Sequence, residues 1–310
     1  MLDVVQELRR ADVSRLGFRA DDAADFGAFV DHLRTQPDRV RRIADLTRLL
    51  RDNVGRIADP GAPLASASDP SLSDDGLDSL AALVLASGAA HAEYLRRGVD
   101  SDVAWASLAD LGQQVHIFRR VFGRFGLGAQ GWCAENYTGR LLWLGRLQYT
   151  LERDRDGATA GDEFVLGVHI PETGPLTQDL VDESLRQAHA IARAAYADFA
   201  PKVVTLHSWL LDPDIRTQLR PESNFVRFAE RFDLYGPAAE ANRDGLFFGF
   251  HIEPDLQGYS LDELPQDTAL QRALVTQLRG SGVRSMAGRL RAWPPEHHTD
   301  LATTAQGSQL

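Results

Sequence analysis

The stretch between Phe164 and His207 constrains the fold of this chain more than any other. Residues Phe164–Ile170 form a short run rich in valine, leucine and isoleucine that Pro171 ends, which predicts a strand. Apolar residues then recur at spacings of three and four, which predicts a helix over residues 178–199. Lys202–His207 is a second strand-like run. A strand, a helix and a strand with short connections predict a right-handed crossover between two parallel strands.

The regions around this crossover differ in character, and together they predict an α/β (α+β) fold. Residues 1–122 show helical periodicity without a chemical motif, which predicts a helical N-terminal domain. We assign residues 123–293 to a mixed β-sheet domain built on the central β–α–β crossover. Residues 294–310 are polar and of low complexity, which predicts a disordered tail.

Further elements are predicted on both sides of the crossover. A strand over Arg140–Arg153 is expected to form an antiparallel hairpin with Phe164–Ile170, because turn residues separate the two. The alternating segment Asn224–Phe232 and the apolar run Leu246–Glu253 predict two later strands. Asp267–Leu278 has the pattern of a short helix.

Composition excludes several classes of function. A net charge of −11 argues against nucleic acid or an anionic membrane as the main partner. No apolar run approaches the roughly 20 residues that span a bilayer. Cys133 is the single cysteine, so no intrachain disulfide can form, and a reducing, cytoplasmic location is expected.

Three histidines lie near the ends of predicted strands: His169, His207 and His251. Glu253 shares a strand face with His251 in this prediction. Imidazole titrates near neutral pH, so these residues are candidates for a general base, a proton shuttle or a metal ligand. Each could equally be a hydrogen-bonded core or surface histidine. The spacing contains no HxH or HExxH pattern, so no metal is expected, although a metal-dependent lyase or hydrolase stays an alternative.

Candidate substrate-binding residues follow the second predicted parallel strand. Trp209 and Asp212 lie beyond its carboxyl end, where ligands of open α/β sheets gather. Trp209 could form a pocket wall or fill the core. Asn224, Arg227 and Arg231 are further candidates, because arginines can bind a carboxylate or phosphate, although a solvated strand face explains them too.

Three runs, VLGVHIPETGPLT, VTLHSWLLDP and SNFVRFAERF, resemble bacterial proteins of the GNAT-like acyltransferase group. These proteins join a helical N-acyltransferase N-terminal domain to a GNAT-like C-terminal domain, and the resemblance covers most of residues 1–293. It implies transfer of an acyl group from a thioester, held between the two parallel strands, to a small-molecule or peptide amine. It also implies donor contacts from Val168, Ile170, Gly174 and Thr177. Placing Leu246–Glu253 beside the second parallel strand would bring all three histidines together.

The turn before the crossover helix departs from the family pattern. Acetyl-CoA-using members hold the pyrophosphate with Q/R-x-x-G-x-G/A, whereas this chain reads PETGPLT from Pro171. Pro175 lacks a backbone donor, and acidic residues such as Glu172 compete with a phosphate. We therefore expect weak binding of free CoA through this turn. An acyl-CoA or acyl-carrier-protein donor, with His207 or His169 accepting the amine proton, and a non-catalytic acyl-thioester or carrier-protein binding module are both open.

Overall fold

A computed structural model describes residues 3–61, 64, 75–154, 156–159, 161, 163–255 and 258–293 of the chain. The tail predicted over residues 294–310 lies outside these residues. The first part of the chain is helical, with α1 to α7 over Val4–Arg10, Ala20–His32, Pro37–Asn53, Leu77–Arg96, Ser101–Leu108, Asp110–Phe122 and Gln130–Asn136. Helix α4 is rich in alanine and leucine, and its segment Leu80–Ala86 is buried all round, as expected of a central helix.

The second part of the chain carries a six-stranded mixed sheet. Strands β1 to β6 cover Leu141–Leu144, Leu147–Arg153, Phe164–His169, Val204–Ser208, Phe232–Glu240 and Arg284–Leu290. Their order is β1-β2-β3-β4-β6-β5, in which β3 and β4 are parallel and every other pair is antiparallel. The remaining helices, α8 to α12, cover Gln178–Ala195, Pro213–Arg216, Asn224–Ala229, Asn242–Phe250 and Ala269–Arg279.

The predicted crossover is confirmed. Helix α8 connects the parallel neighbours β3 and β4, and its apolar face, which includes Val181, Leu185 and Ala188, is buried. The antiparallel pairing of β2 with β3 is also confirmed. The single strand predicted over Arg140–Arg153 is instead the hairpin β1–β2, because Gly145 turns the chain with φ of +62°.

Two predicted strands are wrong, and both segments are helical. Most of Asn224–Phe232 forms α10, whose first turn is capped by the Ser223 hydroxyl accepting the Val226 N–H at 3.3 Å. The run Leu246–Glu253 lies mainly in α11, which ends at His251 in the left-handed conformation. The antiparallel neighbour of β4 is therefore β6, which carries no histidine.

The two faces of the sheet pack against different parts of the chain. On one face, the Tyr149 hydroxyl lies 3.0 Å from the Ser184 hydroxyl of α8. On the other, the Gln148 amide donates to the Asp110 carboxylate of α6 at 2.8 Å. Because Tyr149 and Gln148 are adjacent on β2, they point to opposite faces. The N-terminal helices and α8 therefore enclose the sheet between them.

Candidate active site

The parallel strands β3 and β4 separate toward their carboxyl ends. They are held at the start, where Lys202 N–H donates to Phe164 O and Leu166 N–H to Val203 O, both at 3.0 Å. The register pairs Gly167 with Thr205 and extends no further. The wedge is defined here as the gap between residues 168–170 and 206–208.

Backbone polar groups face into this wedge from both strands. The Leu166 N–H points toward β4, so alternation directs the backbone groups of Val168 and Ile170 to the same side. The Val203 carbonyl points toward β3, so the N–H of His207 also faces β3. These groups lie where the two strands have parted, and they offer hydrogen bonds to an amide-bearing chain inserted between the strands.

A cavity of about 480 Å³ adjoins the wedge. The sheet contributes Gly167, Val168, His169 and His207, and the N-terminal domain contributes the segment Ile57–Gly61. Charged side chains line the rest, namely Glu135, Arg140, Glu152, Arg153 and Asp156. Among the residues that the structure describes, and with Asp59 included, four carboxylates and two guanidiniums line the cavity, which favours a cationic ligand.

His169 lies half-buried on the wall of the cavity. Its Nε2 is 3.0 Å from the Thr150 hydroxyl, and its ring packs edge-on against Trp132 with centroids 4.6 Å apart. Burial, together with the charges of Arg140 and His207, lowers the pKa of His169 to about 4. The ring is therefore neutral at physiological pH.

His207 is more accessible. Its Nε2 lies 3.4 Å from Asp156 Oδ2 and 3.3 Å from the Tyr235 hydroxyl. Burial and then the charges of Asp154 and Asp156 raise the pKa of Tyr235 to about 12, so this hydroxyl stays protonated. A carboxylate and a protonated phenol hydroxyl thus both face Nε2 of His207.

Glu152 is a site residue that the sequence did not reveal. A Cβ on Gly167 would lie under 3.0 Å from its Oε1, so the carboxylate rests directly on the glycine of β3. Arg140 Nη2 donates to Glu152 Oε2 at 3.2 Å. Burial nevertheless raises the pKa of Glu152, against the opposing effects of Arg140 and His207. Its position on the Gln148 face of β2 follows from alternation, which was the available signal.

His251 and Glu253, the other two predicted catalytic residues, do not line this cavity. His251 ends α11 with φ of +59° and contacts Arg120, and its Nε2 lies 3.6 Å from Glu172 Oε1. Glu253 is buried and accepts two hydrogen bonds from the Arg243 guanidinium, at 2.8 and 2.6 Å. The structure therefore brings together two of the three histidines.

The described parts of the chain contain no cluster of candidate metal ligands. No group of three histidine, cysteine, aspartate or glutamate side chains there could hold an ion. The proposed metal-dependent lyase or hydrolase required His251 and Glu253 on a strand beside β4, and that strand is a helix.

Trp209 and Asp212 have structural partners. Trp209 is buried in a second apolar cluster formed with α11 and α12. Asp212 is fully buried, caps α9 through the Asp214 N–H at 3.0 Å and accepts from Arg284 Nη2 at 2.8 Å. Their place after β4 agrees with the prediction, whereas their side chains are not part of the cavity lining.

The remaining substrate-binding candidates lie on or after α10. Asn224 and Arg227 are exposed on that helix. Arg231 donates from Nε to the Gln178 amide oxygen at 3.0 Å and from Nη1 to Asp182 at 2.5 Å. It therefore anchors the beginning of α8.

The donor-binding candidates Gly174 and Thr177 lie in the turn before α8. Gly174 has φ of +73°, and Thr177 is the N-cap residue of α8, although its side chain makes no capping hydrogen bond. The buried Arg146 holds this turn by donating to the Pro171 carbonyl at 2.9 Å and the Pro175 carbonyl at 3.1 Å. The turn is thus fixed by a cation from the β1–β2 hairpin.

A helical domain that covers a splayed mixed sheet, with a cavity at the splay, is the arrangement expected of a GNAT-like acyltransferase. Residues 10–139 match the family model of the N-acyltransferase N-terminal domain, and residues 141–290 match that of the GNAT-like C-terminal domain. The chain therefore belongs to the GNAT-like acyltransferases that combine these two domains, which confirms the resemblance seen in the sequence.

Solved structures agree with this assignment. A structure of an acyltransferase in complex with decanoyl-CoA and teicoplanin is 26% identical, with a TM-score of 0.77 over 92% of this chain and 87% of that one. A mutant acyltransferase in complex with octanoyl-CoA is also 26% identical, with a TM-score of 0.74 over the same shares of the two chains. No curated protein matches the chain. No described helix has the length and apolar character needed to cross a membrane.

Proposed function

We propose that this enzyme transfers a medium-length acyl group from coenzyme A to the amine of a small molecule or peptide. The observation that carries the proposal is the separation of β3 and β4 beside a cavity lined by both strands. Structures of similar acyltransferases hold decanoyl-CoA or octanoyl-CoA, which supports CoA as the donor. An acyl-carrier-protein donor is the alternative that the assay below separates.

The donor arm binds as an extra strand in the wedge. Amides of the arm pair with the backbone of Val168 and Ile170 on one side and of His207 on the other. The His207 N–H then donates to the thioester oxygen as negative charge develops on it, which lowers the barrier to attack. This role uses backbone groups that β3 and β4 no longer supply to each other.

The acceptor amine enters through the charged cavity. Its protonated form is attracted by the carboxylates, and Glu152 lies nearest to Gly167, beside the thioester position. The amine must lose a proton before attack, and His207 accepts it, with Asp156 balancing the charge that forms. As the C–N bond forms, the C–S bond breaks, the leaving CoA thiolate takes up the second proton of the attacking nitrogen, and His207 returns its proton to solvent. The neutral, half-buried His169 shapes the wall of the site. The similar structure that contains teicoplanin supports a sizeable acceptor.

Two assignments accompany this proposal. The domain boundary at residue 123 and the cytoplasmic location remain predictions. A single, buried cysteine supports the location, because nothing in this chain requires an oxidising compartment.

Mass spectrometry of purified protein mixed with donors and amines tests the function. We expect an acylated amine with octanoyl- or decanoyl-CoA and a loss of thioester that depends on the amine. Product formed only from acyl-carrier protein would replace CoA as the donor. Binding of acyl thioesters without product from any donor or amine would contradict the enzymatic assignment.

A further inference from the structure

A group of basic side chains borders the carboxyl end of the wedge. The basic cluster is defined here as Arg19, His116, Arg120 and His251. Helix α6 places His116 and Arg120 one turn apart on the same face. Arg19 Nη1 contacts His116 Nε2, and Arg120 Nη2 contacts His251 Nε2. The N-terminal domain thus brings three of the four residues to the GNAT-like domain.

Glu172 occupies this cluster in the present structure. It accepts a hydrogen bond from Arg120 Nη1 at 2.8 Å, and its other oxygen lies 3.6 Å from His251 Nε2. Glu172 is three residues beyond His169, in the turn that joins β3 to α8. The side chains of Arg120 and Glu172 are 36% and 45% exposed, so an external anion can reach their contact.

The wedge opens toward this turn. Hydrogen bonds close the gap between β3 and β4 at their amino ends, so a long donor whose thioester lies beside Gly167 leaves past Glu172. The phosphate groups of coenzyme A carry several negative charges, and the turn itself is acidic. A cation from outside the turn is therefore needed where these phosphates emerge.

We propose that the basic cluster binds a phosphate group of the CoA donor, with Arg120 as the principal ligand and Glu172 as the group that the phosphate displaces. The proposal rests on the acyltransferase function above and adds where the nucleotide end of the donor is held. In the free enzyme, Glu172 neutralises Arg120. When the donor binds, Arg120 donates to phosphate oxygens, and Glu172 turns toward solvent.

His251 positions Arg120 for this role. It ends α11 in the left-handed conformation, with its ring against the guanidinium, so α11 and α6 hold Arg120 from two sides. Arg19 extends the positive surface along α6, and its guanidinium contacts the imidazole of His116 rather than a carboxylate. Arg19 can therefore donate to a second phosphate oxygen beside the one that Arg120 binds.

Turnover with decanoyl-CoA and with decanoyl-pantetheine, which lacks the nucleoside and all the phosphates of CoA, tests the proposal. The substitution Arg120→Gln is expected to raise the KM for decanoyl-CoA about tenfold or more, the scale of a lost charge-assisted hydrogen bond. It should leave the KM for decanoyl-pantetheine, which has no phosphate, unchanged. Glu172→Gln should lower the KM for decanoyl-CoA, because it removes the competing carboxylate without removing Arg120.

Two further variants make the test specific. His251→Asn keeps a residue that tolerates the left-handed conformation and should raise the KM for decanoyl-CoA less than Arg120→Gln does. Arg48→Gln removes an equal charge from α3, where Arg48 is paired with Asp45, and should change neither KM. Thermal unfolding of each variant confirms that the fold is kept.

Calorimetry of CoA binding to the intact enzyme separates this proposal from the proposed function. Tighter binding by wild type than by Arg120→Gln, with the difference shrinking at high salt, supports the phosphate site. If Arg120→Gln raises the KM for decanoyl-CoA and for decanoyl-pantetheine equally, or raises neither, the phosphate site is wrong. If wild type does not bind CoA but acylates amines from decanoyl-pantetheine, the phosphate site is wrong while the acyltransferase function stands.

Discussion

At the scale of single residues, the two histidines of the site are distinguished by their surroundings. His169 packs half-buried against Thr150 and Trp132, and its pKa is lowered to about 4. His207 reaches the cavity and has a carboxylate, Asp156, at 3.4 Å. A general base must both contact the amine and hold its proton at the working pH. His207 meets these requirements better than His169.

The substitution His207→Gln is expected to lower turnover roughly 10²-fold, the usual contribution of a general base. The amide keeps the size of the ring but cannot take up the proton. Steady-state rates with saturating donor and amine between pH 6 and 9 measure the effect.

The matched variant for this test is His169→Gln, which should reduce turnover less because His169 stays neutral and lines the wall. Full turnover by His207→Gln across the pH range would exclude His207 as the base. Glu152, whose pKa is raised by burial, would then be the residue to replace.

At the scale of elements, the crossover could be predicted from the sequence, whereas the elements after it could not. The change of apolar period from two to 3.6 and back identifies β3, α8 and β4. The run Leu246–Glu253 is short and apolar, and periodicity alone does not separate a strand from a helix in such a run. Gly249 lies within this run, where a Cβ would crowd the Leu274 side chain of α12.

The candidate site, too, could be predicted from the sequence only where it lies on the crossover. His169 and His207 were placed correctly because each lies on a strand of the crossover. His251 was misplaced because its strand is a helix. Glu152 was not identified, since the sequence does not show which face of β2 meets the N-terminal helices. The cap at Ser223, a serine just before α10, was an available helix signal that the alternating residues after it obscured.

Helix α6 approaches the N-terminal segment so closely that one position admits only glycine. A Cβ on Gly112 would lie under 3.0 Å from the backbone of Gly17 and Phe18. We expect Gly112→Ala to lower the free energy of unfolding by about 1–3 kcal/mol, because neither backbone can move without disturbing its own helix contacts.

Urea denaturation of Gly112→Ala beside Gly27→Ala measures this effect. Gly27 lies within α2, and a Cβ there meets nothing within 4 Å. Alanine should therefore stabilise α2 by roughly 0.5–1 kcal/mol through helix propensity. Similar stability changes in the two variants would contradict the close approach of α6.

At the scale of the whole molecule, one buried carboxylate joins the helical domain to the sheet. Asp110 at the start of α6 accepts hydrogen bonds from Gln148 on β2 and from the Trp132 indole on α7, both at 2.8 Å. Trp132 in turn packs on His169. The wall of the cavity is thus part of the interface between the domains, so we expect protonation of His169 to be linked to unfolding.

The pH dependence of stability should report this coupling through His169. Its folded pKa of about 4 lies below the ordinary 6.5, so the unfolded chain takes up the proton first as the pH falls. The stability gained by keeping the ring neutral is fully present above pH 6.5 and is lost progressively toward pH 4. Over that whole range the loss is about 3 kcal/mol, of which about 2 falls between pH 7 and pH 5.

His169→Gln should therefore lose less stability than wild type between pH 7 and pH 5, by about 2 kcal/mol. Urea denaturation at the two pH values gives both differences directly. The control is His32→Gln at the exposed end of α2, which removes a histidine without touching the domain interface. If His169→Gln and wild type lose the same stability on acidification, protonation of the cavity wall is not linked to unfolding.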